Sequence, residues 1–393
     1  MSTERSSKAV VDGIAHAGPS RRSGKDVEEL ALEAISLALE DAQLDPGDVQ
    51  AVVTESALCP VVTPLDRIGP AARLTGLRRS AQSTPVGAGI LAAIGTAVDM
   101  VERGEVDTVL TWFAIGWGSA TVGPTEYHSK MTAKHLIEDP VGFSGPPLYF
   151  AVAAKRYQHV YGLTDAEMEE MLFAITSAAR ANAALNPEAQ VKQPLDRASY
   201  ANNPMIAEPL RQADCSLLSD GAAALVISRK GRIKRSRPNV GLKAWAYAVD
   251  SMSDADFYTQ SPWLPCLPAA ERASAQAFAK AGLSPSDIDV LEIYDCFSIA
   301  VAMQLEAAGF CPKGGAIHAV ANGALLYKGT MPTNTHGGLV AHGYLLGISH
   351  AIEAVTQLRG AAGERQVLDA RLAYVGAGPG RQYTSLIFER IDP

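Results

Sequence analysis

The sequence predicts a layered α/β fold made of two copies of one β-α-β-α-β unit, with a long insertion in the first copy. Three observations carry that prediction. An amphipathic helix, an L-x-P-x-D turn and a short apolar strand occur twice, over 26–54 and over 269–293, with Leu44 and Leu283 at the same point of the turn. Each copy then has a helix of small and apolar residues ending in Arg-Gly, over 87–103 and 344–359, apolar on more than one face and so suited to burial between two sheets. Each copy closes on an apolar strand, 222–228 and 385–389.

Taken in order, 9–14 is a short apolar strand and 26–43 an amphipathic helix through Leu30, Ala34, Leu37 and Ala38. A Leu-Asp-Pro-Gly-Asp turn leads to a strand over 51–54, the helix 87–103 follows, and a strand is predicted over 108–113. About a hundred residues come next, long enough to be functional rather than a plain connection. They contain a helix over 148–161 and a second one from the capping pattern Thr164-x-x-Glu167 to Leu185, and we expect them to form a lid over the sheet ends. The second copy repeats helix, turn and strand (290–293), then the helix 344–359 and strands over 368–375 and 385–389. The expected division is 1–115 with 215–235 as the N-terminal half, 116–214 as the inserted domain and 236–393 as the C-terminal half.

With 393 residues, 34 basic against 42 acidic and a net charge of −8, the composition argues against a general nucleic-acid binder. The polar start at 1–8 and the lack of a long apolar run lead us to expect a cytoplasmic protein with no secretory signal and no membrane span. The cysteines are scattered, with no C-x-x-C and no histidine pair at ligand spacing, so no metal is expected. Gly376-Ala377-Gly378-Pro379-Gly380 imitates a dinucleotide fingerprint but precedes a strand instead of a helix, and nicotinamide binding is not expected.

Duplication would bring the starts of the two buried helices together, at Gly87 and at Gly343-Tyr344. The segment Tyr294-Asp295-Cys296-Phe297 and the glycine turn after Tyr374 would open onto the same region. Backbone N–H groups there suit an oxyanion. Tyr294, Tyr344 and Tyr374 would supply phenols, with Tyr344 at a helix N-terminus whose dipole favours its anion.

The motifs R-S-G-K-D-V-E-E-L, N-A-A-L-N-P, M-I-A-E-P-L-R-Q-A-D-C, S-D-G-A-A-A, Y-D-C-F, G-F-C-P-K-G-G, N-T-H-G-G and G-A-G-P-G occur in this order along the whole chain. In order and content they resemble the thiolase superfamily, in its sterol-carrier-protein and lipid-transfer-protein-like branch. The resemblance implies a five-layered αβαβα thiolase fold. It also implies a pocket that includes Gly87, Asn334, His336, Tyr374, Gly376, Gly378, Asp295 and Cys296.

The departures from the pattern concern the chemistry. The thiolase nucleophile position falls at Gly87 or a neighbour, and none of these is cysteine. Tyr294 stands where a thiolase has asparagine or histidine, Tyr344 where it has the histidine of G-H-P, and Tyr374 where it has a second cysteine. Without a thiol there is no acyl-enzyme. What remains suits a retro-aldol reaction, which needs a base, an acid and an oxyanion site; the helix argument favours Tyr344 as base and Tyr294 as acid, with the reverse order left open.

Y-D-x-F and N-T-H-G-G followed by G-Y resemble the thiolase-like steroid side-chain aldolases. That resemblance implies a 17-hydroxy steroid C22-CoA substrate cleaved to a 17-ketosteroid and propionyl-CoA, with CoA part of the substrate and no separate cofactor. It further implies a homodimer core and a small OB-fold, zinc-ribbon partner in an α2β2 complex. Arg229, Lys230 and Arg232, in a basic run between the copies, are candidates for CoA docking, although such runs are commonly solvated linkers. Two other readings compete: a non-catalytic subunit that binds acyl-CoA or activates a partner, and a thiolase or acyltransferase using Cys296.

Overall fold

The structure is a computed structural model that describes residues 7–55, 65–83, 89–121, 136, 138–143, 145–233, 236–250, 264–378, 380 and 382–392. Strand β1 (Ala9–Ser20) leads to helix α1 (Val27–Ala42). A capping box fixes where α1 begins. The Asp26 carboxylate accepts the Glu29 N–H at 2.8 Å, and the Glu29 carboxylate accepts the Asp26 N–H at 2.9 Å. Gln43, left-handed at φ 53°, ends the helix. Strand β2 (Ala51–Glu55), α2 (Leu65–Ala71), β3 (Arg79–Ser83), α3 (Gly89–Glu102) and β4 (Thr108–Gly116) follow.

The insertion contributes α4 (Pro146–Tyr161), α5 (Asp165–Ala184), the short α6 (Arg197–Ala201) and the hairpin β5 (Met205–Ala207) and β6 (Leu210–Arg211). Strand β7 (Asp220–Arg229) returns to complete a sheet of order β1-β7-β4-β2-β3. The second copy runs β8 (Asn239–Val249), α7 (Pro268–Ala281), β9 (Val290–Ile293), α8 (Ser298–Ala307), α9 (Ala316–Ala319), α10 (Gly338–Ala341), α11 (Ile348–Leu358), β10 (Leu372–Ala377) and β11 (Gln382–Ile391). Its sheet has the order β8-β11-β10-β9, the same permutation as β1-β7-β4-β2. The pairs β1–β7, β4–β7, β8–β11 and β10–β11 are antiparallel, and β2–β3, β2–β4 and β9–β10 are parallel.

Helix α1 covers the outer face of the first sheet and α7 that of the second, while α3 and α11 each touch strands of both sheets. The result is the expected five layers. Gly95 of α3 shows how closely they pack: a Cβ there would lie 2.3 Å from the indole of Trp245 on β8, so only glycine lets the second sheet approach. Beside that contact the Trp245 Nε1–H donates to Asp99 at 3.2 Å.

An ionic clamp joins the copies. Asp41, at the end of α1, accepts from Arg237 in the linker at 2.6 Å and from Arg359 after α11 at 2.9 Å. Among the described residues, no helix is long and apolar enough to cross a membrane.

Candidate active site

Tyr294 follows β9 directly, and its main chain is held on both sides. Its N–H donates to the Gly376 carbonyl at 2.9 Å and its carbonyl accepts from Gln304 of α8 at 2.7 Å. One residue earlier, the Asn334 side chain grips both backbone groups of Ile293, accepting its N–H at 2.7 Å and donating to its carbonyl at 2.8 Å. Tyr344 arrives from the loop between α10 and α11. Its N–H donates to Ser219 Oγ at 2.9 Å, and Ser219 in turn donates to Gln190 of the insertion at 2.9 Å. The two side chains meet edge to face, with the rings 6.5 Å apart and tilted 72° and the hydroxyls 2.9 Å apart.

Sequence reasoning places Tyr344 at a helix N-terminus; the structure corrects this. Gly343 has φ 149°, Leu346 φ 50° and Gly347 φ 84°, so the chain cannot turn helical until Ile348. Gly347 is the N-cap, and it lies beside the ring of Tyr294, where a Cβ on Gly347 would be 3.6 Å from Cδ2. The dipole therefore gives no reason to prefer Tyr344 as the anion.

The remaining expected residues divide. Gly376 pairs with Ile293 in the β9–β10 ladder and its carbonyl accepts from Tyr294, so it lies next to that residue, and Gly378 follows the end of the same strand. Gly87 lies outside the described residues. Tyr374 is a correction: it points to the opposite face of β10, is fully buried, bonds to Ser274 at 2.8 Å and Ser385 at 3.0 Å, and stacks on Phe278. Burial pushes its hydroxyl pKa up, which suits a core tyrosine.

Asn334 is a clamp whose side-chain oxygen and one amide N–H are engaged on the Ile293 backbone. His336 is 2% exposed and has Nδ1 3.0 Å from Glu292; burial and the neighbouring His350 depress its pKa to about 3, so the ring is neutral. Asp295 is buried and accepts the N–H groups of Leu339 at 2.7 Å and Val340 at 3.4 Å. Gly338 makes this possible, since it has φ 63° and a Cβ would lie 2.0 Å from the Asp295 carboxylate.

Cys296 is buried, and burial followed by the Asp295 charge pushes its thiol well above the ordinary range. A buried, protonated thiol is a poor nucleophile, which counts against the acyl-transfer reading. Arg229 and Arg232 are a further correction. They sit at the opposite end of the first sheet, where Arg232 pairs with Asp48 at 2.6 Å and Arg229 with Asp107. Lys230 follows β7 at that same end.

Sequence reasoning passes over Ser219, Gln304 and His350, which position the tyrosine segments. Ser219 lies in the S-D-G motif, but no sequence feature shows that its hydroxyl supports Tyr344. The insertion also clamps the site loop. Asn182 donates to the Thr333 carbonyl at 3.1 Å, Asn186 to that of His336 at 2.9 Å, and Gln190 N–H to that of His342 at 3.0 Å.

Fold and site together define a thiolase-fold protein in which two tyrosine hydroxyls meet at the end of β9. The family model described as thiolase C-terminal domain-like matches residues 251–390. The chain is 31% identical over 392 residues to a 17-hydroxy-3-oxo-4-pregnene-20-carboxyl-CoA lyase of Mycobacterium tuberculosis, covering 97% of this chain and 99% of the relative. It is 32% identical to a steroid side-chain-cleaving aldolase of Thermomonospora curvata, covering 96% of this chain and 97% of that one. The solved Ltp2-ChsH2(DUF35) aldolase superposes with a TM-score of 0.89 at 29% identity, covering 98% of both chains. The chain belongs to the thiolase superfamily, in its branch of thiolase-like steroid side-chain aldolases.

Proposed function

We propose that this protein is a carbon–carbon lyase that cleaves a β-hydroxyacyl-CoA side chain by a retro-aldol reaction, with Tyr294 and Tyr344 as its proton-transfer pair. The observation that carries the reading is the 2.9 Å contact between the two hydroxyls, which come from separate segments and meet instead of turning into the core. One tyrosine of the pair, as the phenolate, takes the proton of the β-hydroxyl and becomes the phenol. The Cα–Cβ bond breaks, a carbonyl forms at Cβ and the electron pair passes to the thioester as an enolate. The other tyrosine, as the phenol, protonates Cα and is left as the phenolate. The contact between them lets the proton pass across the pair, so the cycle is proton-neutral.

Backbone N–H groups at Gly378 and at the start of α11 are the candidates to stabilise the enolate oxygen. The named relatives support a 17-hydroxy steroid C22-CoA thioester as substrate, giving a 17-ketosteroid and propionyl-CoA. The same reading divides the chain into the halves 1–115 with 215–235 and 236–393, and assigns 116–214 to covering the substrate. The likeness to the solved Ltp2-ChsH2(DUF35) aldolase supports a DUF35 partner, which we take to be the small OB-fold protein that completes the acyl-CoA site. Strand β3, at the edge of the first sheet, supports a homodimer formed across that edge.

The test is to co-express the chain with such a partner and to follow ketone and propionyl-CoA release from the steroid thioester. Tyr294→Phe and Tyr344→Phe should each lose about 10²–10⁴-fold in kcat with folding intact. Cleavage that survives the loss of either hydroxyl rejects the pair.

A further inference from the structure

Behind Tyr294 lies a buried set of groups that the proton chemistry does not use. Glu292 on β9 is 0% exposed, His336 in the loop after Thr333 is 2% and His350 on α11 is 0%. One donor atom from each lies within 4.8 Å of the others, and His336 Nδ1 is 3.0 Å from Glu292 Oε2. That contact lacks hydrogen-bond geometry. Glu292 Oε2, both ring nitrogens of His336 and Nδ1 of His350 make no hydrogen bond. Buried polar groups are rarely left this way, and three residues that each bring an unpaired donor atom within 4.8 Å of the others need a common partner.

We propose that Glu292, His336 and His350 bind a divalent transition-metal ion of the zinc type, which ties β9, the Thr333–Gly338 loop and α11 together beneath the tyrosine pair. The donor set of two imidazoles and a carboxylate suits zinc and its first-row neighbours. The supporting contacts are those that orient metal ligands. His350 Nε2 is anchored on Asp295 at 3.2 Å, and Glu292 Oε1 accepts from the Thr335 N–H and hydroxyl, each at 3.1 Å. The neighbouring buried Glu353 is matched by Arg365 at 2.8 Å, and among the described residues no Lys or Arg nitrogen lies within ion-pair distance of Glu292, although Arg365 is close enough to act on it electrostatically.

A line of imidazoles connects the cluster to the surface. His342 packs 5.0 Å from His336 and 5.2 Å from His16, and His16 contacts the exposed Glu188 at 3.2 Å. The ion is a positioning element, since its ligands flank the segments that carry Tyr294 and Tyr344. The site stands on its own geometry and does not depend on the aldolase reading.

The test is metal content and Zn2+ binding by the full chain, made without a polyhistidine tag, by elemental analysis and by competition with a chelator. Wild type should hold one zinc per chain, or take it up after stripping, with a rise in melting temperature. Glu292→Gln and His336→Gln should bind at least about 100-fold more weakly. His16→Ala should bind as wild type does, because it alters only the outer group. Tyr294→Phe should also bind normally, which separates this site from the chemistry.

Wild type that neither carries nor takes up zinc, manganese, cobalt or iron overturns the proposal, whatever the variants do. Binding retained by a folded Glu292→Gln or His336→Gln overturns it too, as does binding lost in His16→Ala. If the inner variants do not fold, X-ray absorption of the zinc-loaded wild type decides: a sulfur ligand overturns the site, and imidazole with carboxylate in a protein that still binds as His16→Ala supports it.

Discussion

Asn334→Ala tests how the tyrosine segment is held. The side chain makes two bonds, 2.7 Å from the Ile293 N–H and 2.8 Å to its carbonyl, at a residue only 3% exposed. Its removal strands both Ile293 groups, at about 1–3 kcal/mol each. Asn334 also has φ 49°, a left-handed conformation that costs alanine about 1 kcal/mol more than asparagine or glycine. The sum is a loss of about 3–7 kcal/mol. Urea unfolding followed by circular dichroism measures it at fixed m-value, with Asn334→Gly as the control that keeps the two broken bonds but removes the backbone cost. Alanine should lie below wild type by that range and below glycine by about 1 kcal/mol. An alanine variant within about 1 kcal/mol of wild type would show that Ile293 does not depend on this clamp.

Other consequences can be checked alongside. Tyr374→Phe should lower stability by about 1–2 kcal/mol through its bonds to Ser274 and Ser385, yet leave kcat unchanged; a large drop in kcat in a folded protein would restore Tyr374 to the site. Cys296 should resist alkylation in the native protein and react only on unfolding, because the thiol is buried and kept protonated. Asp41 is desolvated, which raises its pKa, but the bond from Arg237 and the charge of Arg359 outweigh this and depress it. Its contribution is therefore complete above the unfolded value of about 4 and is lost as pH falls through the lower folded value. Asp41→Asn should accordingly be less stable than wild type by about 2 kcal/mol at pH 7, with the gap closing in acid as measured by thermal melts across pH.

The parts of the fold legible in the sequence are those written in local codes. The Asp26 and Thr164 caps begin α1 and α5 where the patterns place them, and β9 occupies the expected 290–293. The period-two pattern of 243–249 also marks a strand, but the basic run before it disguises β8. The site is less legible because facing and register are tertiary properties. Tyr374 and Tyr294 both stand next to glycine or apolar neighbours on strand ends, and only the sheet decides which side of β10 faces the site. The start of α11 is hidden by Leu346, a residue whose side chain gives no hint of its left-handed backbone. The cluster that His336 joins is invisible for another reason. Glu292, His336 and His350 lie far apart along the chain and match no ligand spacing, so only folding assembles them.

Both hydroxyls of the tyrosine pair belong to the second copy, while Ser219 and Gln190 of the first copy's return and insertion hold Tyr344 from outside. Duplication thus left two halves of equal architecture and unequal duty. Exchange of the C-terminal half between relatives would carry the proton groups with it. Exchange of the first half, with its insertion, would change what surrounds them and leave the pair in place. Lineages of this fold have a seam between the copies along which reaction type and ligand preference can diverge separately.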